Sequence, residues 1–399
     1  MVCNYNEVII MKRSISIIMS LIIVAAIFSA CDDNNNGNNQ EPDSETTTVS
    51  EPNIQLTAKN IFEESFRSHD FNGAAYMVYK GEEIYSGGSG KANKKENIDN
   101  DADTVYHIAS VTKQFTAAAI LKLCEQKKIS LDDTLQKYYP DYLAGADITI
   151  HNLLSMQSGI PNFTVEYDEN GNEKESESQI TIDGVTEDNT AEENRDAIKA
   201  WIFSQKLLFS QGERFSYSNS NYFLLGGIIE QASGQTYFDY LKTNFFIPYE
   251  MKTAGFDENY DISEAKVAKG YHYTGITSEI YGYKGVAFAS GDMMASPKDL
   301  YQWSVALHGG KVLSSEMYQK MTKEYAKRGD GTSYGYGLMI VDDSGGKIYF
   351  HNGATPRFFS YVIYSPKKDL FLAVMSNYAS ETILTVTKEV SEKVLKEIE

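Results

Sequence analysis

Apolar, strand-like runs stand at both ends of this chain with a long helical middle between them, and that arrangement limits the folds open to it. Near one end, "GAAYMVYKGEEIYSGGSGKA" gives two strand-like runs around Lys80-Gly81-Glu82, the residue types of a tight hairpin turn. The closing part of the chain returns to strands in "YGYGLMIVDD", "GGKIYFHNG", "FFSYVIYSP" and "DLFLAVMSN", followed by a helix from Glu381. In between, Phe115, Ala118, Ile120, Leu121 and Leu123 mark one broad face of a helix that starts at Ser110 and ends near Lys128. Helical patterns recur at Ile198 to Lys206, Asn221 to Ala232 and Pro297 to Leu307. Strands at both ends with helices between predict an α+β fold: an antiparallel sheet flanked by helices, with an inserted, mainly helical lobe.

The length of 399 residues allows one large domain, and the hydrophobic content of 42% is that of an ordinary globular protein. A formal charge of −19 with no basic cluster argues against a nucleic-acid partner, because phosphate binding needs a basic face. Lys12 and Arg13 precede the apolar run Ile15 to Phe28, which is shorter than the roughly 20 residues of a spanning helix and reads as an export signal. The junction "FSAC" has a bulky Phe28 where ordinary cleavage prefers a small residue, and it resembles a bacterial lipobox with Cys31 as the lipid-bearing residue. Residues 1–30 are therefore expected to be a lipoprotein-type signal peptide, 31–55 a disordered polar tether, and 56–399 the folded domain. The expected location is the bacterial cell envelope, with the membrane reached through the lipid on Cys31 and the protein a monomer. Residues 164–194 carry eleven Asp or Glu against Lys174 alone, the composition of a solvated surface loop or flap. Cys124, in "ILKLCEQ", reads as a small buried hydrophobe.

Ser-x-x-Lys occurs four times, at Ser110, Ser263, Ser344 and Ser365, but only Ser110 opens a strongly apolar helix. Free backbone N–H groups at a helix start favour an oxyanion forming beside the serine. Lys113, one turn on, can reach the serine oxygen, and a dry pocket would hold its amine neutral as a base. Tyr217-Ser-Asn219 is the only Tyr-x-Asn in the chain; alone it also reads as a polar turn ahead of a helix at Asn221 capped by Ser220. His351-x-Gly353 lies between two strands, where a glycine beside a strand edge lets a substrate approach as an added strand. The histidines show no metal-ligand spacing and there is no phosphate loop, so neither metal nor cofactor is expected.

In this order the three elements resemble the serine β-lactamase-related family of penicillin-recognising hydrolases, in its class C β-lactamase, D-alanyl-D-alanine carboxypeptidase and esterase branch. The likeness extends over nearly all of residues 56–399 and includes "HIASVTKQFTAAAILKL", "HNLLSMQSGIPNF" and "GERFSYSNSNYFLLGGIIEQASGQ". It implies Ser110 as nucleophile, Lys113 and Tyr217 as the groups that activate it, and Asn219 as a holder of substrate and lysine. It further implies His351 and Gly353 at the substrate-binding sheet edge, with backbone N–H groups of Ser110 and Ala354 as the oxyanion hole. Class C β-lactamases typically carry lysine where His351 stands; a neutral histidine resembles the peptidase and esterase relatives, so an ester or amide is expected in preference to efficient β-lactam hydrolysis. Arg357, where the family often has glycine, is a candidate for a substrate carboxylate as well as for a surface or packing role. A non-catalytic binder of cell-wall peptides and an acyltransferase are the competing readings.

Overall fold

The computed structural model describes residues 54–168, 182–256, 266–271, 283–343, 346–378, 380 and 382–398. The leader, Cys31, nearly all of the tether and the centre of the acidic segment lie outside the described residues. Helix α1 (Ile54–Ser68) begins two residues before the expected domain boundary.

The N-terminal hairpin forms as its sequence predicts, with β1 (Gly73–Tyr79) paired to β2 (Glu82–Ser89). Lys80 and Gly81 both adopt positive φ, 50° and 77°, which matches the twist of the two strands. The C-terminal strands are β3 (Ala326–Lys327), β4 (Ser333–Tyr334), β5 (Met339–Asp343), β6 (Gly346–Ala354), β7 (Phe359–Ser365) and β8 (Leu370–Ser376). All eight join one antiparallel sheet in the order β2-β1-β8-β7-β6-β5-β4-β3, with Gly73 opposite Ser376 and Tyr79 opposite Leu370. The run "YGYGLMIVDD", expected as one strand, is instead broken between β4 and β5. Gly337 there has φ +70°, and a side-chain carbon on it would stand 2.4 Å from the Lys113 carbonyl oxygen, so the chain turns where it meets the helix that carries Lys113.

Strands β1 and β8 are buried at every position, because both faces of the sheet are covered. On one face Phe62 of α1 stacks on Tyr85 at 3.9 Å between centroids. On the other, Tyr301 of α5 (Pro297–His308) packs edge-on to Tyr76 and Phe371. The C-terminal helix α6 (Thr382–Ile398) lies beside α1.

The inserted lobe contains α2 (Thr112–Glu125), α3 (Ala191–Ser204) and α4 (Asn219–Ser233). The apolar pattern of α2 suggests one buried face, yet eleven of its fourteen residues are buried. A helix enclosed on all sides is a central one, and its small residues Ala117, Ala118 and Ala119 let neighbours close in. Among the described residues no helix is long and apolar enough to cross a membrane.

Candidate active site

Ser110 sits in a short 3-10 turn, Ala109–Val111, that leads into α2, so it precedes the α-helix by one turn of tighter backbone. The turn is held from two sides. Tyr106–His107 pairs with Met293–Ala295, and Ile108 N–H donates to the Met293 carbonyl at 2.9 Å. From the main sheet, the Ser360 hydroxyl of β7 donates to the Ile108 carbonyl at 2.8 Å. Directly after this anchored residue Ala109 takes φ +47°, a left-handed conformation that L-residues adopt at a cost.

Lys113 is wholly buried one turn on, and burial holds its amine well below the ordinary lysine range. Its Nζ lies 2.7 Å from Asn219 Oδ1, 2.8 Å from the Ser290 carbonyl and 3.0 Å from Ser110 Oγ. The first two partners can only accept. A neutral amine has two N–H bonds, so these acceptors consume both and leave its lone pair toward Ser110. Tyr217 OH meets Ser110 Oγ at 2.9 Å, and Lys113 Nζ lies 4.9 Å from the Tyr217 ring centre. The serine oxygen can therefore receive the tyrosine proton while giving its own to the lysine.

Tyr217 and Asn219 are positioned by the start of α4. The helix begins at Asn219, earlier than its apolar pattern suggests, and Ser218 stands at its cap with no side-chain cap bond. Ser220 is not the cap. It lies inside the first turn, donating to the Pro161 carbonyl at 2.6 Å and accepting from Phe163 N–H at 3.1 Å, which ties α4 to the loop before the acidic segment.

His351 is completely buried in β6, opposite Val362. Its Nδ1 lies 2.7 Å from the Asn352 carbonyl, an acceptor, so Nδ1 carries the proton and Nε2 accepts from Tyr334 OH at 3.3 Å. Burial above all, with the nearby Lys113 amine adding to it, pushes the imidazole down to about 3, so it is neutral near pH 7. Gly353, two residues on, meets the turn that carries Ser110 directly, whereas Ala354 and Arg357 are exposed at the end of β6 and in the turn before β7. Cys124 is partly buried and its thiol is pushed up to about 12, chiefly by desolvation, which suits a packing residue.

The family model described as Beta-lactamase matches residues 58–387. The chain belongs to the beta-lactamase family. PbpX of Bacillus subtilis (strain 168), a candidate penicillin-binding protein, is 30% identical over 77% of this chain and 71% of its own length. Protein flp of Staphylococcus aureus (strain MRSA252) is 28% identical over 86% of this chain and 66% of its own, so both relatives are longer than the matched region. Among solved structures, the octameric penicillin-binding protein homologue from Pyrococcus abyssi superimposes with a TM-score of 0.69 at 29% identity, covering 84% of this chain and 75% of that one. The D-amino acid amidase from Ochrobactrum anthropi SV3 complexed with D-phenylalanine gives a TM-score of 0.71 at 23% identity over 86% of this chain and 98% of that one, a likeness of fold.

Beside the residues that the sequence singles out, this beta-lactamase-family site uses several that it does not. The Ser290 carbonyl fixes one lysine N–H, and a backbone oxygen leaves no trace in residue type. Tyr334 holds His351, and Ser360 holds the turn before Ser110. Asn162 and Thr164 support Asn219; the phrase "GIPNFT" marks the place without a role for either.

Proposed function

We propose that this protein is an exported serine hydrolase that acts on an ester or amide through an acyl-enzyme on Ser110. The observation that carries the proposal is the hydrogen bonding of Lys113: two acceptor-only partners leave its lone pair for the Ser110 hydroxyl. Ser110 Oγ attacks the substrate carbonyl carbon as its proton passes to Lys113 Nζ, and the carbonyl oxygen takes up the charge facing the backbone N–H groups of Ser110 and Ala354. Collapse of the intermediate breaks the bond to the amine or alcohol, which leaves with a proton relayed through Tyr217. Water then attacks the acyl-enzyme, returning the acid and the free serine.

A neutral His351 places no fixed charge at the sheet edge, which favours esters and peptide-like amides over the carboxylate-anchored binding of a β-lactam. Arg357 in the adjoining turn is the proposed partner for a substrate carboxylate where one is present. No cofactor enters the scheme. Cys31 is the proposed lipid attachment site, holding the domain at the envelope through the polar tether.

The test is intact-mass and peptide mapping after treatment with a fluorophosphonate, alongside a kinetic panel of p-nitrophenyl esters, a chromogenic cephalosporin and D-amino-acid peptides. A covalent adduct on Ser110 that is absent from Ser110→Ala is expected. No adduct at Ser110 would leave only the reading of a protein that binds peptides without turning them over.

A further inference from the structure

We infer that Thr164 is a positioning residue: its hydroxyl decides which end of the Asn219 amide faces Lys113. The inference rests on the reading of Lys113 as the base and adds a residue that touches neither Ser110 nor Lys113 through any bond described above.

The chain of proton positions starts at Asn162, a buried side chain. Its Oδ1 accepts from two backbone donors, Asn219 N–H at 3.0 Å and Thr164 N–H at 3.3 Å, and backbone donors cannot reverse. That end of Asn162 is therefore the oxygen. The Thr164 hydroxyl lies 2.9 Å from the same oxygen and has one proton, which must point there. Its lone pairs are left to accept, and Asn219 Nδ2 stands 3.0 Å away to donate. With Nδ2 committed to Thr164, Asn219 Oδ1 is the end that meets Lys113 Nζ at 2.7 Å.

The reversed amide would set its oxygen against a hydroxyl with no proton to give. It would also aim an N–H at the lysine, occupying the lone pair that Ser110 needs and disfavouring the ammonium form. Thr164 thus couples the foot of the acidic segment, whose chemistry the sequence leaves open, to the protonation geometry of the base.

The experiment compares Thr164→Val, which keeps the shape and removes the hydroxyl, with Thr164→Ser, which restores it. Two readouts are taken on the full chain: the pH dependence of Ser110 acylation by a fluorophosphonate, and the titration midpoint of the Lys113 amine followed by NMR of labelled lysine. Thr164→Val is expected to slow acylation roughly 10- to 100-fold and to move the Lys113 midpoint down by about one pH unit. Thr164→Ser should recover both. A midpoint that stays in place in Thr164→Val overturns the inference, even if the melting temperature falls, because a purely structural role moves stability alone. Equal impairment of the two variants overturns it as well. The lysine titration needs no turnover, so it decides the role of Thr164 even if wild type forms no adduct, an outcome that bears on the proposed hydrolase activity instead.

Discussion

Gly353 meets Ile108 backbone to backbone: a side-chain carbon placed on Gly353 would stand 2.2 Å from the Ile108 carbonyl oxygen and 2.5 Å from Ser360 Oγ. The C-terminal end of β6 and the turn that carries Ser110 are thus in contact with no room between them. In Gly353→Ala one must move away from the other. A displacement of about 1 Å in a reacting group typically costs about 100-fold in rate, so acylation of Ser110 should fall by at least that much, with a lower melting temperature. Stopped-flow acylation and calorimetry check both. An alanine variant with wild-type rate would show that the contact does not set the position of Ser110.

The left-handed Ala109 supplies a second prediction, since φ +47° favours glycine and strongly disfavours a β-branched residue. Ala109→Gly loses a buried methyl but gains a compatible backbone, so its stability should stay within about 1 kcal/mol of wild type. Ala109→Val should cost more than about 2 kcal/mol. Urea unfolding of the pair decides it; a well-tolerated valine would mean the turn relaxes readily.

Acid should destabilise the fold well above the carboxylate range. His351 is wholly buried and His308 partly buried, stacked on Tyr349 and Tyr364; both are pushed down to about 3, chiefly by desolvation, against 6.5 for the exposed group. Between those limits the unfolded chain binds a proton at each that the folded chain refuses. Stability therefore falls as pH drops below about 6.5, by about 1.4 kcal/mol per pH unit for each histidine. Asp299 works the other way: burial raises it to about 6, so below that pH the folded state takes up a proton sooner than the unfolded one. Urea midpoints between pH 7 and 5 should slope downward on acidification. His308→Gln should flatten that slope, and an unaltered slope in the variant would assign the effect elsewhere.

The lipid attachment proposed for Cys31 predicts incorporation of an alkyne-tagged palmitate into cells expressing the full chain. Label and membrane association should both disappear in Cys31→Ala while Ser110 remains reactive toward a fluorophosphonate. Equal labelling of the variant would place any lipid elsewhere.

Much of the scaffold is legible in the residues because it depends on local chemistry. Lys80-Gly81 demands a tight turn, and "GAAYMVY" and "LFLAVMS" are apolar at consecutive positions because both faces of their strands are covered. Ser110, Lys113, Tyr217 and Asn219 stand out by spacing, and the fold brings them within bonding distance. What the sequence conceals depends on contacts between distant segments. Ser220 looks like a cap because small polar residues commonly are, but Pro161 and Phe163 claim its hydroxyl. The break at Gly337 follows from the approach of Lys113, far away in the chain. Asn162 and Thr164 look like ordinary loop residues until the direction of each proton is followed.

The pairing of Gly73 with Ser376 has a bearing on when the surroundings of Ser110 are completed. A ribosome supplies residues in order, so the serine and its lysine exist long before β6, β7 and β8 do. Until those strands arrive, β1 lacks its central neighbour, Ile108 lacks the Ser360 hydroxyl, and the turn that carries Ser110 has only the Met293–Ala295 strand to hold it. On the proposed reading, the chain carries Ser110 early and completes the surroundings of that serine last.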